Sequence, residues 1–299
     1  MGTNEAIVQQ VNSSQGMPKS ESMWAITIRR FRKNRLAVIG LLTIIILSLL
    51  ALFAPIIAPY DPAEIDLFRV QEPPSRDHLL GTDELGRDVL TRILYGSRVT
   101  LVVGVCAMFI SIIAGSVFGS IAGFYGGKID NVIMRIVDIF LSFPTLFLLI
   151  ILAAYIEVTI LGMILIIGGT SWMSVARLVR GEFLSLKEKE FVEGARALGA
   201  KDIKIIARHI LPNTMAPLIV AATLGVAYAI IYESSLSFLG VGIKAPAATW
   251  GNMLTNAQQD IFQAPWLAVW PGLMISITVL AINFVGDGLR DALDPKLKS

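Results

Sequence analysis

The segment FVEGARALGAKDIKIIARHILPN, residues 191–213, is charged and helix-prone, and it lies between two long apolar runs. Phe191, Ala195 and Leu198 recur at i, i+4 and i+7, which predicts a short helix with one apolar face. Gly199 follows, where a helix needs a left-handed residue as its C-terminal cap. The pattern therefore predicts a helix that ends at Gly199.

A second short helix is predicted after this glycine. Asp202 is a good N-cap, Ile203, Ile206 and Ile210 follow at i, i+3 and i+7, and Pro212 is expected to end the helix. Basic residues are spread through both helices: Arg196, Lys201, Lys204 and Arg208. Two such short helices cannot bury their apolar sides on each other alone, so they need membrane spans or a partner.

The composition indicates a membrane protein. Hydrophobic residues make up 55% of the chain, charged residues only 16%, and the mean hydropathy is +0.68. A membrane span needs about 20 apolar residues, and six runs qualify. These runs are 36–58, 99–124, 132–156, 159–178, 215–239 and 270–285. The first run is too long for the core of a cleavable signal, so we expect it to remain as an anchor.

The distribution of Lys and Arg predicts the orientation, because cytoplasmic loops carry the excess of these residues. With the N-terminus inside, the segments on the inner side hold 19 of the 25 Lys and Arg residues. Both termini are therefore predicted to be cytoplasmic. The net charge of +2 adds little, and nothing suggests a nucleic-acid partner.

Enzyme motifs are missing from the sequence. It contains no phosphate-binding Gly-x4-Gly-Lys-Ser/Thr loop, no His-Glu-x-x-His and no Gly-x-Ser-x-Gly. The single cysteine, Cys106, excludes an internal disulfide and a cysteine metal cluster. We therefore expect neither ATP hydrolysis by this chain nor a metal site in it.

Few ionisable residues fall within the apolar runs. Asp138 has Arg135 three residues before it, and Asp287 has Arg290 three residues after it, so both are predicted to form local ion pairs near the membrane interface. Glu233 lies near the outer end of the fifth run. There it is either a pore-lining polar group or an exposed interfacial residue.

Small residues mark close helix packing. The second run carries small residues at four-residue spacing: Ser111, Gly115, Gly119 and Gly123. The fifth run repeats the pattern at Ala221, Gly225 and Ala229. The partner of these faces is either another helix of this chain or a second subunit. Pro144 is predicted to kink the third span.

The 191–213 segment resembles the cytoplasmic loop of binding-protein-dependent ABC importer permeases. The family motif runs Glu-Ala-Ala, three residues, Gly, nine residues, Ile, one residue, Leu-Pro. The matching residues are Glu193, Ala195, Gly199, Leu211 and Pro212, whereas Gly194 and His209 depart from the motif. In that family the loop docks into a groove on a separate ATPase subunit. The alternative is an amphipathic segment that lies on the lipid surface.

The resemblance extends over nearly the whole chain. Residues 79–101, 233–254 and 286–295 are similar to the C-type permeases of dipeptide, oligopeptide and nickel importers. It implies an all-α polytopic membrane protein with six transmembrane helices and the type I ABC importer (MetI-like) permease fold. Residues 88–95 are predicted to form a short amphipathic helix at the outer interface, which either caps the pore or contacts the solute.

The resemblance also implies a division of the chain. A cytoplasmic tail is followed by an anchor span, an extracytoplasmic segment, a five-helix core with a coupling loop, and a second tail. The expected ranges are 1–35, 36–58, 59–97, 98–289 with the loop at 179–214, and 290–299.

The implied complex contains a homologous second permease, two ABC ATPases that bind ATP and Mg²⁺, and an extracytoplasmic binding protein that delivers a short peptide. The chain itself would span the cell membrane and hold no cofactor. The implied coupling residues are Glu193, Gly194, Ala195, Ala197, Leu198, Gly199, Ala200, Leu211 and Pro212, and the pore or gate candidates are Pro144, Gly225 and Glu233. A nickel-importing permease, and a stand-alone channel or secondary carrier, remain as alternatives.

Overall fold

The computed structural model describes residues 23–156 and 158–294, which are almost entirely helical. Residues 1–22 and 295–299, which belong to the two predicted tails, lie outside this range. The helices are α1 Met23–Lys33, α2 Arg35–Leu52, α3 Ala54–Ile57, α4 Val89–Tyr125, α5 Gly127–Leu141, α6 Thr145–Tyr155, α7 Ile160–Leu186, α8 Glu190–Ala197, α9 Asp202–Ile205, α10 Met215–Phe238, α11 Trp250–Ala257 and α12 Trp266–Leu293. A π-helix, Ile206–Ile210, and a 3₁₀-helix, Leu211–Thr214, connect α9 to α10.

Within the described residues, five helices are long and apolar enough to cross a membrane, and the bent pair α5 and α6 brings the number to six when it counts as one span. This confirms the all-α, six-span prediction. The break between α5 and α6 bends the chain by 90°, and Pro144 is the residue before α6. The predicted kink is confirmed, and it is a break in the helix because Pro144 removes a backbone donor there.

The second span begins earlier than the hydropathy predicts. Asp88 caps α4, since its carboxylate accepts a hydrogen bond from the Thr91 amide at 2.8 Å. The helix then runs without a break from Val89 to Tyr125. The prediction of a separate short helix at residues 88–95 is therefore wrong, and the predicted boundary at residue 97 falls inside α4. Gly96 is the one glycine between Val89 and the apolar run, and a single glycine inside a helical pattern is tolerated, so the helix continues.

The small-residue stripe of α4 packs along α7 of the same chain. A Cβ on Gly115 would meet Val175, one on Gly119 would meet Ala176 and Val179, and one on Gly123 would meet Phe183. Ser111 donates a hydrogen bond to the Gly168 carbonyl at 3.0 Å. The sequence left open whether this face packs against another helix of the chain or against a second subunit. The structure shows that it packs against a helix of the chain, α7.

The segment between α3 and α4 is held by charged side chains. Asp88 accepts from His78 Nδ1 at 3.0 Å, and Asp83 pairs with Arg87 at 2.7 Å and with Arg92 at 3.2 Å. All five of these side chains are buried. Because a buried charge is costly without a partner, these pairs fix the segment over the first turns of α4.

Ion pairs also join neighbouring helices. Asp138 pairs with Arg177 of α7 at 2.6 Å, so the predicted local pair with Arg135 is wrong. Arg180 donates two hydrogen bonds to Asp130 of α5, at 2.5 and 2.7 Å. The bidentate geometry suits the planar guanidinium and fixes α5 against the end of α7. Sequence spacing could not show these partners, because they lie 39 and 50 residues away along the chain.

Candidate functional site

The loop between α7 and α10 begins with α8, which ends in a Schellman motif at Gly199. The Ala200 amide donates to the Ala195 carbonyl at 3.1 Å, and the Gly199 amide donates to the Arg196 carbonyl at 2.9 Å. Gly199 has a φ of +79°, which is in the left-handed region. The predicted glycine cap is therefore confirmed.

The bundle covers only part of the predicted apolar face of α8. Val192 and Ala195 are buried, whereas Phe191 and Leu198 are exposed, Leu198 by 89%. The sequence predicts that Phe191, Ala195 and Leu198 share one apolar face, to be covered by the membrane spans or by a partner. Of the three, only Ala195 is covered by this chain. A two-turn helix with apolar residues on two sides can pack through either side. In this structure α8 packs through the side that carries Val192, which contacts the core around Phe183.

The second short helix of the loop, α9, differs from the prediction in its N-cap residue and in one of its buried isoleucines. Lys201, and not Asp202, is the N-cap residue of α9. Ile206 and Ile210 are buried as expected, but Ile203 is 70% exposed and Ile205 is buried in its place.

Pro212 does not end the helical path. It stands in the first turn of the 3₁₀-helix, where a missing backbone donor costs nothing, and α10 follows directly. The prediction that the helix stops at Pro212 is therefore wrong. The π-helix before it shifts the hydrogen bonds by one residue, with the Leu211 amide donating to the Ile206 carbonyl.

The predicted coupling residues differ in exposure. Glu193, Gly194, Ala197, Leu198, Gly199 and Pro212 are exposed, whereas Ala195 is buried, and Ala200 and Leu211 are half-buried. Within the described residues, Glu193 has no ion pair. Arg196, which could have paired with it, lies over the Phe124 ring at the end of α4, 5.5 Å from its centroid. The loop therefore offers a carboxylate and apolar side chains on a free surface.

One hydrophobic core joins the loop to the middle of the bundle. It contains residues of α8, α9, the π-helix, α4, α7 and α10: Val192, Ala195, Ile205, Ile206, Ile210, Phe124, Phe183, Val179, Val175, Met108 and Leu218. Such close-packed interiors transmit displacement because they have little free volume. The packed core thus connects the loop to Met108 and Val175.

Met108 and Val175 also line a cavity of about 380 Å³ among the spans, which we call the central cavity. Its lining includes six hydroxyl side chains: Thr145, Thr170, Ser171, Ser174, Tyr228 and Tyr232. Thr170 donates to backbone carbonyls of its own helix, whereas the other five have no hydrogen-bond partner within the described residues. Ser174 and Tyr228 are exposed on this chain. Since lipid cannot satisfy hydroxyls, these groups need water, a solute or polar groups of a neighbouring subunit.

The three pore or gate candidates have different positions. Gly225 lines the central cavity, where a Cβ would meet Met108. Pro144 is exposed at the break before α6, whose first residue, Thr145, lines the cavity. Glu233 is fully buried, so its prediction as an exposed interfacial residue is wrong.

Glu233 accepts a hydrogen bond from Ser237 at 2.9 Å and from Thr100 at 3.4 Å. Thr100 also accepts from the Trp250 amide at 3.4 Å, at the first residue of α11. The carboxylate therefore ties α10 to α4 and to α11. Ser237 lies one turn away on the same helix, whereas Thr100 lies 133 residues away along the chain, and the sequence did not reveal that contact or the burial of Glu233.

The hydroxyls of the central cavity were missed by sequence reasoning. A signal was present, since Ser171 and Ser174 recur at i and i+3, and Tyr228 and Tyr232 at i and i+4, within apolar runs. Such spacing places the polar groups of each helix on one face. Only the packing of α7 against α10 shows that the two faces meet.

With the loop and the cavity defined, comparison with known proteins identifies the family. The family described as "Binding-protein-dependent transport system inner membrane component" matches residues 115–299. A second, described as "N-terminal TM domain of oligopeptide transport permease C", matches residues 22–74. The chain belongs to this permease family. It is accordingly a multi-pass membrane permease of the ABC importer type.

Similar permeases include two curated proteins. The oligopeptide transport system permease protein OppC of Bacillus subtilis is 42% identical over 280 residues, which are 94% of this chain and 92% of that one. The dipeptide transport system permease protein DppC of Alkalihalophilus pseudofirmus is 44% identical over 278 residues, 93% of this chain and 91% of that one.

A solved structure of the MetNI methionine ABC transporter in an inward-facing conformation contains a similar chain. The TM-score is 0.58 with 22% identity, over 69% of this permease and 97% of that chain. At this identity the likeness shows the fold alone, and it confirms the predicted permease fold.

Proposed function

We propose that this permease is one of two membrane subunits of an ATP-driven peptide importer. Its partners are a homologous second permease, two ABC ATPases and an extracytoplasmic binding protein. ATP and Mg²⁺ bind to the ATPases, and this chain carries no catalytic residue and no cofactor. The relatives named for oligopeptide and dipeptide transport support a peptide as the solute.

The observation that carries the proposal is the exposed surface of the 190–212 loop. This surface presents Leu198, Ile203 and Glu193, which has no ion pair within the described residues, while the opposite side is packed on the bundle core. Exposed apolar side chains beside a charge are typical of a docking surface for another protein. We assign this surface to the ATPase, which moves when it binds ATP and draws the loop with it.

The central cavity is proposed as this subunit's part of the solute path. The core shared by the loop and the cavity supports a coupled movement, in which the bundle exchanges between inward- and outward-facing states. Its lining has hydroxyl groups and no charged side chain. Hydroxyls both donate and accept hydrogen bonds, as peptide amides do, and this suits a peptide better than a nickel ion.

The proposed orientation has both termini and the 190–212 loop in the cytoplasm. Topology reporters fused after Ser75 and after Pro246 are expected outside, and reporters after Lys187 and Ser299 inside. An external reporter at Lys187 would contradict the assignment, since the ATPases bind ATP in the cytoplasm.

The test of the transport function is uptake into vesicles that contain the complete complex. With the binding protein outside and ATP available to the ATPases, labelled dipeptides and tripeptides should accumulate, whereas Ni²⁺ should not. Uptake of Ni²⁺ without peptide uptake would support the nickel alternative. Uptake that persists when the ATPases are removed would identify a channel or secondary carrier.

A further inference from the structure

The position of α1 places it at the boundary between water and lipid. Only Asn34 separates α1 from the first span, and its side chain caps that span by accepting a hydrogen bond from the Ala37 amide at 3.2 Å. The backbone of Asn34 is extended, which turns the chain between the two helices. An amphipathic helix joined to a span in this way lies along the membrane surface.

One side of α1 is fixed to the end of α12. Phe31 packs against Gly288, where a Cβ would lie 3.3 Å from the ring. Arg30 donates a hydrogen bond to the Asp294 carbonyl at 3.0 Å. These contacts determine which side of α1 faces away from the protein.

The outward side is an exposed stripe at helical spacing: Ala25, Ile28, Arg29, Arg32 and Lys33. Ile28 is 57% exposed, and the basic residues follow it toward the first span. Arg35, the first residue of the span, is also exposed and extends the basic end. The stripe therefore has an apolar end and a cationic end, and apolar and basic side chains are the two kinds with which an interfacial helix contacts lipid.

The charged residues of α1 and the first span are all positive. From residue 23 to residue 60 the sequence has five Lys and Arg residues and no Asp or Glu. Within the described residues, no carboxylate pairs with Arg32, Lys33 or Arg35. An anion from outside the described residues can therefore pair with these three side chains, and the phosphate groups of anionic lipids lie at this depth.

We infer that Arg32, Lys33 and Arg35 form a binding site for the headgroup of an anionic phospholipid. The apolar residue Ile28 enters the acyl boundary beside it, while the contacts with α12 hold α1 in place. The inference concerns a lipid contact of this chain alone, and it does not depend on which solute the importer carries.

The test is native mass spectrometry of the purified full-length chain with equal amounts of phosphatidylglycerol and phosphatidylcholine. The wild-type chain should retain phosphatidylglycerol preferentially. Each basic side chain near an anionic surface contributes a factor of about five, so R32Q/K33Q/R35Q should lose at least about tenfold of this preference. Thermal unfolding in detergent should be unchanged, since these side chains are exposed.

Two variants serve as controls. R32K/R35K keeps the charge and should keep the preference, and R76Q removes an exposed arginine from the segment between α3 and α4 and should have no effect. A preference that stays within twofold of wild type in the triple variant would overturn the inference. An equal loss in R32K/R35K or in R76Q would also overturn it, because the effect would not follow the charge of this site.

Discussion

At the scale of single residues, Gly199 determines the shape of the coupling loop. Its φ of +79° is strained for any residue with a Cβ, although a Cβ there would meet no other atom within 4 Å. The cost of a substitution is therefore conformational and not steric. The geometry of α8 relative to α9 depends on this one backbone conformation.

Gly199→Val should strain the cap by about 1 kcal/mol or more and lower transport while insertion survives. The measurement is peptide uptake by the reconstituted complex, normalised to the amount of chain in the membrane. Gly194→Ala is the control, because Gly194 has no positive φ and has free space around it, and Ala is the residue that the family motif has at this position. It should stabilise α8 by about 0.5–1 kcal/mol and transport normally. Equal uptake by both variants would contradict the role given to the cap.

Glu193 is the second residue with a specific expectation. It is exposed, and within the described residues it forms no ion pair, so the stability of the chain should not depend on its charge. Glu193→Lys should therefore leave the amount and unfolding temperature of the permease unchanged but weaken co-purification with the ATPases. Glu188→Lys, another exposed glutamate just before α8, is the control and should co-purify normally. If Glu193→Lys instead lowers the unfolding temperature, the carboxylate stabilises the fold of the chain and its role in ATPase binding is contradicted.

At the scale of elements, the sequence predicts the existence of the helices better than their partners. Hydropathy locates each span, and Gly199 and Pro144 mark the cap and the break, because these features depend on a few neighbouring residues. The buried side of α8, the partner of Asp138 and the burial of Glu233 depend on helices far away in sequence. For this reason the predicted pair of Asp138 with Arg135 is wrong, and the sequence did not show which side of α8 the bundle covers. The π-helix before Pro212 also has no local signal, since it follows from how α10 joins the loop.

The contact between α4 and α7 gives a prediction at this scale. Gly119→Val would push a side chain against the Ala176 carbonyl and Val179, which should cost about 1–3 kcal/mol. Gly169→Val has the same change in helix propensity, but a Cβ there meets nothing within 4 Å. Thermal unfolding of the purified chain in detergent should show a clear loss for Gly119→Val and little for Gly169→Val. The same unfolding temperature for both would contradict close packing at this contact.

At the scale of the whole molecule, the account links an exposed loop to a cavity through one continuous core. The loop surface around Leu198 and the hydroxyls around Gly225 lie at its two ends, and Phe124, Phe183 and Met108 lie between them. Such a core transmits a displacement because it is densely packed, and no bound group is needed within this chain. We propose that an ATPase subunit binds the loop surface around Leu198.

Site-directed cross-linking from Leu198 tests this claim most directly. In a Cys106→Ala background, Leu198→Cys in the assembled complex is treated with a short cysteine-reactive photo-cross-linker, and Arg76→Cys serves as the control. The account predicts an adduct between residue 198 and an ATPase subunit, at a yield that changes when ATP is added, and no ATPase adduct from residue 76. A complex that transports normally but gives no ATPase adduct from residue 198 would contradict the coupling assignment.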